Sequence, residues 1–119
     1  MERSHEPAKG KLGLPGGFVD PDERAEDAAL RECREEIGWA PPEIRFLGSF
    51  PNHYSYGGID YSTCDLFFHY RFPRGADWPR FSLVDGEASA VRLVGLDLLR
   101  EEDMAFPSLI RAIKAYKRE

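Results

Sequence analysis

Apolar positions along this chain fall into short runs with different spacings. Residues 12–22 (LGLPGGFVDPD) have no period and are rich in Gly, Pro and Asp, which predicts a loop. Over residues 23–37, Ala29, Cys33 and Ile37 recur every fourth position, giving a helix one narrow apolar face. Asp20 or Asp22 offers a capping side chain, Pro21 suits an early helical position, and Gly38 can take the left-handed conformation that ends a helix. Pro41 and Pro42 forbid continuation.

Residues 43–50 (EIRFLGSF) predict a strand, with Ile44, Phe46 and Leu47 as its apolar contacts. The polar, aromatic stretch 51–58 (PNHYSYGG) predicts a loop that feeds a longer strand over 59–72, where aromatic and β-branched residues concentrate. A further strand is expected over 89–96. A closing helix over 107–117 carries Leu109, Ile110, Ile113 and Tyr116 on one side. Strands and helices in this mixture predict an α+β fold. With 119 residues and no repeat or linker, the chain is expected to be one domain spanning 1–119.

Composition narrows the function. With 42% apolar and 31% charged residues the chain reads as globular. No apolar run approaches the roughly 20 residues that cross a bilayer, and residues 1–11 lack a signal-peptide core, so a cytoplasmic protein without a membrane partner is expected. Cys33 and Cys64 show no metal or disulfide spacing and read as two buried thiols. A net charge of −5 argues against a nucleic-acid polymer as partner. The same acidity would repel a phosphorylated small molecule, so any phosphate chemistry here needs a metal ion.

Residues 17–39 supply a place for one. Glu32, Glu35 and Glu36 stand at helical spacing i, i+3 and i+4, within an arc of about 100°. Like charges so spaced destabilise an isolated helix, whereas a divalent cation reverses the sign. Oxygen ligands of this kind suit Mg²⁺ or Mn²⁺ rather than zinc. A solvated acidic face is the competing explanation for such a cluster taken alone.

The surrounding residues decide between these. Gly17, Glu23, Arg31, Glu32, Cys33, Glu35, Glu36, Gly38 and Trp39 fit the pattern of a glycine, five residues, a glutamate, seven residues, then R-E-U-x-E-E-x-G-U, where U is bulky and apolar. At residue frequencies of about 5–7% each, a chance match to its seven invariant positions is on the order of 10⁻⁸. The stretch resembles the Nudix box. That resemblance implies a Nudix-like α/β/α sandwich with a mixed central β-sheet, and a Mg²⁺-dependent hydrolase that cleaves a diphosphate linkage in a nucleoside diphosphate derivative. Candidate substrates are ADP-ribose, NADH or a nucleoside triphosphate.

It further implies Glu32, Glu35 and Glu36 as metal ligands, joined by a backbone carbonyl of Gly16 or Gly17. Arg31 and Glu23 should pair and orient those glutamates. Many members place one more carboxylate outside the box, as a ligand or general base. Glu87 is the candidate, with Asp85 next. In 48–58 the start of the segment resembles the S-x-P opening of a signature in NADH pyrophosphatases and then departs from it. Tyr54 and Tyr56 could stack on a base there, and Asn52 and His53 could hydrogen-bond one. The bland alternative is that these aromatics merely pack on the sheet. His5 and His69 carry no motif.

Only 16 residues precede Gly17, where the family has roughly 30–40. The opening strands are therefore expected to be missing, through truncation or because another chain completes the sheet, which makes a homodimer or strand exchange the expected assembly. Two further classes compete with the enzyme: a non-catalytic nucleotide-binding module, and an inactive truncated relic.

Overall fold

This computed structural model describes residues 1–6, 8–83 and 88–118, over which the chain runs β1 (Glu2–Arg3), α1 (Ala25–Ile37), β2 (Arg45–Tyr56), β3 (Ile59–His69), β4 (Ala88–Ala90) and α2 (Pro107–Lys117). Two short 3₁₀ turns, Leu96–Leu98 and Glu101–Asp103, lead into α2. The long hairpin β2–β3 is antiparallel, and β1 pairs antiparallel with β4. An isolated parallel bridge links Leu12 and Met104 outside the named strands, so both described ladders are antiparallel where one mixed sheet was expected. The α+β class is therefore observed.

Helix α1 starts at Ala25, not at residue 23. Its N-cap is Arg24, without a side-chain cap, so neither Asp20 nor Asp22 fills that role. Asp22 instead sits at φ 64°, in the left-handed region that Asp tolerates. Glu26 and Asp27 in the first turn complement the helix dipole. The expected terminator holds: Gly38 has φ 70°, and its N–H donates to the Arg34 carbonyl. Beyond it the Ser82 N–H donates to the Ile37 carbonyl at 2.9 Å, and Trp39 stacks on Phe72 with Phe81 edge-on. The end of α1 is thus held by segment 70–82.

The buried residues of α1 are Ala28, Glu36 and Ile37, so the apolar face is turned from the one drawn through Ala29 and Cys33. Cys33 is half-buried and Cys64 exposed, which corrects the expectation of two buried thiols. Burial pushes the Cys33 thiol up to about 11.

The largest correction falls on residues 51–58. They are strand up to Tyr56, and only Gly57 and Gly58, both at positive φ, make the turn. β3 ends at His69, and β4 covers three residues instead of the expected 89–96. Before the box, β1 is present, two residues long, where no strand was expected. Helix α2 occupies the predicted range. Pro107 stands in its first turn, Leu109 and Ala112 are buried, and Lys114 and Lys117 sit in the last turn, where cations oppose the dipole. Among the described residues no helix is long and apolar enough to cross a membrane.

Strand alternation sorts the hairpin into two faces. Asn52, opposite Thr63, points towards the core and is 6% exposed, whereas its neighbours Pro51 and His53 are exposed. On the core side the Thr63 hydroxyl donates to Asp65, and the buried Ser108 hydroxyl of α2 donates to the same carboxylate at 2.6 Å. This bond ties the start of α2 to the hairpin.

Candidate active site

Arg31 organises the carboxylates of the box. Its Nε and Nη2 grip Glu23 at 2.8 and 3.0 Å, a bidentate pair of the geometry that guanidinium and carboxylate favour. Nη1 reaches Glu32 at 2.8 Å and Glu35 at 3.1 Å, and Nη2 also reaches the Phe18 carbonyl at 3.1 Å. One side chain therefore connects Glu32 and Glu35 of α1, Glu23 just ahead of the helix, and the glycine loop. The Arg31 guanidinium holds the Glu23 carboxyl below its ordinary range, with the Asp20 N–H adding to the effect. The reciprocal bonds raise Arg31.

The three glutamates that α1 presents are not equivalent. Glu36 is 1% exposed, and its Oε2 accepts the Gly16 N–H at 2.8 Å. Glu32, one turn earlier, lies against Gly17, where an added Cβ would stand 2.6 Å from its Oε1. Glu35 is turned outward onto Arg31, with half its side chain exposed. Two carboxylates thus face the pair Gly16–Gly17, and the third stands at the rim.

This donor set matches a divalent cation in part. Glu32 and Glu36 are hard oxygen donors beside a backbone that comes close only because residues 16 and 17 lack side chains, which fits. Among the described residues, however, no three His, Cys, Asp or Glu side chains close round one point. Arg31 Nη1 bonds both Glu32 and Glu35 and so stands between those two carboxylates.

Of the substrate candidates, Asn52, Tyr54 and Tyr56 share the inner face of the hairpin. Tyr54 and Tyr56 are stacked at 6.4 Å, and Tyr54 meets Phe18 of the glycine loop edge-on at 6.3 Å. Asn52 Oδ1 is buried and has no hydrogen-bond partner among the described residues. His53 lies on the opposite face. Glu87 and Asp85 lie outside the described residues. Phe18 was missed by the sequence reading, although its position beside Gly17 was the available signal.

The carboxylates of α1 are thus clasped by Arg31 beside the glycine loop. The family model for the NUDIX domain matches residues 1–115, and the chain belongs to the Nudix family. It is 42% identical over 50 residues to the ADP-ribose pyrophosphatase of Methanocaldococcus jannaschii, a stretch covering 42% of this chain and 30% of that one. It is also 49% identical over 37 residues to a Bacillus subtilis protein named "Putative 8-oxo-dGTP diphosphatase YtkD", covering 31% of this chain and 23% of the other. The matched stretches thus span less than a third of these curated relatives. The NUDIX domain of Shewanella oneidensis NrtR, solved in complex with ADP ribose, superposes with a TM-score of 0.75 at 26% identity, covering 98% of this chain and 73% of that one.

Proposed function

We propose that the protein is a Mg²⁺-dependent pyrophosphohydrolase that cleaves the diphosphate of a nucleoside diphosphate derivative, ADP-ribose being the first candidate. The observation that carries this reading is the placement of Glu32 and Glu36 on the Gly16–Gly17 backbone, with Arg31 fixed by Glu23 alongside. Divalent metal ions are general in the family. Such an ion supplies charge that offsets the phosphoryl oxygens and makes water a better nucleophile. In this reading Glu32, Glu35 and Glu36 hold it, together with a carbonyl of Gly16 or Gly17. Mn²⁺ is the expected substitute, having the same preference for oxygen ligands.

Arg31 and Glu23 act through the ligands by fixing their orientation. Asn52, Tyr54 and Tyr56 face the base of the substrate, a role that His53, on the far face, does not share. Glu87 is the proposed general base. The one relative named for ADP-ribose and the neighbour solved with it support that substrate ahead of NADH, and the relative named for 8-oxo-dGTP keeps a nucleoside triphosphate as the second candidate.

The test is hydrolysis of ADP-ribose, NADH and nucleoside triphosphates by the whole chain, each with Mg²⁺ and with EDTA. Metal-dependent release of AMP from ADP-ribose is expected. Binding of ADP-ribose without any turnover would instead establish the second reading, a nucleotide-binding module. It is favoured by one observation: among the described residues no three ligating side chains close round one point. For assembly, a homodimer is proposed, because each ladder is only two strands wide among the described residues and open edges favour pairing. A monomer at all concentrations in sedimentation would dismiss it.

A further inference from the structure

Phe18 joins two parts of the molecule, the carboxylate cluster of α1 and the tip of the β2–β3 hairpin. Its carbonyl accepts from Arg31 Nη2, and its backbone neighbour Gly17 backs onto Glu32. Its ring meets Tyr54 at an interplanar angle of 84°, yet remains 68% exposed. A single exposed aromatic residue needs no explanation, but a contiguous group beside a polar site does.

Here the group is contiguous. Tyr54 stacks on Tyr56, and the register places Tyr61 opposite Tyr54 and Ile59 opposite Tyr56. Residues directly opposite in a ladder project on the same side, so the four share one face. Tyr56, Ile59 and Tyr61 are exposed as well. The far side of the same hairpin tip is polar, with the Ser55 hydroxyl bonded to Asp60. The apolar side is the one that continues, through Phe18, to the carboxylate cluster.

We infer that Phe18 is a specificity-determining residue, which together with Tyr54 and Tyr56 forms a stacking platform for the base of a purine nucleotide whose phosphates lie at the glutamates. The inference deepens the proposed function and rests on its placement of the diphosphate. An uncharged aromatic surface next to a strongly charged site suits a ligand that is flat and uncharged at one end and anionic at the other. Stacking is tolerant of base identity and grows with ring area, so purines should bind more tightly than pyrimidines. Arg31 fixes the Phe18 backbone, so the ring stands at a set distance from the metal ligands.

The test is equilibrium binding of AMP, CMP and ribose 5-phosphate to the whole chain in Mg²⁺, comparing wild type with Phe18→Ala and Phe18→Trp. The two products expected from ADP-ribose then serve as ligands with and without a base. Phe18→Ala should weaken AMP on the order of tenfold and leave ribose 5-phosphate unchanged, and Phe18→Trp should restore AMP. Wild type should favour AMP over CMP. The inference is overturned if Phe18→Ala binds AMP as wild type does, if it weakens AMP and ribose 5-phosphate equally, or if folded wild type binds no AMP. Phe18-dependent AMP binding in a protein that hydrolyses nothing would sustain this inference while ending the hydrolase reading. Turnover that is indifferent to Phe18 would do the reverse.

Discussion

The glycine loop with α1 and the tip of the β2–β3 hairpin meet at one ring contact, Phe18 on Tyr54, but they are built on opposite principles. Around α1 nearly every group is held by a directional, charge-assisted bond: Arg31 alone reaches Glu23, Glu32, Glu35 and the Phe18 carbonyl. On the apolar side of the hairpin tip the side chains are large, uncharged and exposed, and the backbone ladder does the holding. Bonds of the first kind fix atoms to tenths of an ångström, which handling a metal and a phosphate requires. An exposed ring surface is tolerant, which suits reading a flat group. The difference teaches where substitutions should abolish the reaction and where they should only change the choice of substrate.

The sharpest break in this comparison is Glu36→Gln. It keeps the shape of Glu36, the one fully buried glutamate among the described residues, and removes its charge. Turnover should fall at least about 100-fold while the thermal midpoint holds, because a lost ligand charge exceeds the 10–100-fold typical of groups that only support ligands. Wild-type rates for this variant at limiting Mg²⁺ would remove Glu36 from the ligand set.

Gly17→Ala comes next. The new Cβ would stand 2.6 Å from Glu32 Oε1, but it meets only the far end of a flexible side chain. The fold should therefore tolerate it while Glu32 swings aside, lowering turnover by roughly 10–100-fold. A large drop in thermal midpoint would show that the glycine serves folding and not the site.

Glu23→Gln tests the clasp through pH. Arg31 holds the folded-state pKa of Glu23 below its ordinary 4.5. The stability this adds is fully present above pH 4.5 and is lost as pH falls through the lower, folded value. Wild type should therefore be more stable than Glu23→Gln at neutral pH, with the gap closing on the acid side. A gap in thermal midpoint that stays constant from neutral to strongly acid pH would refute the clasp.

The smallest effect belongs to the hairpin tip. Tyr56→Ser removes an exposed ring, and stability should change by no more than about 0.5 kcal/mol in denaturant unfolding. A much larger loss would mean that this face is covered in solution.

The two regions also differ in how far they could be read from the chain. The box was legible because its geometry is local: helical spacing alone brings Glu32, Glu35 and Glu36 to one side, and Gly38 ends the helix where it stands. Helix α2 was legible for the same reason. Residues 51–56 were misread as loop because Pro51, Asn52 and the glycines that follow are turn formers by local preference. They become strand because residues 59–64 pair with them, and local preference carries no information about that partner.

What the sequence alone determined is the chemistry on offer: the donor types, their helical register, the glycines that leave room, and the family. Only the tertiary structure decided how those donors differ. It buried Glu36 against Gly16, left Glu35 at the rim, turned His53 away from Asn52 and Tyr54, and set Phe18 against the hairpin. Spacing along a helix or strand fixes direction to within a face. Burial and contact depend on what packs against that face, and those partners lie tens of residues away in the chain.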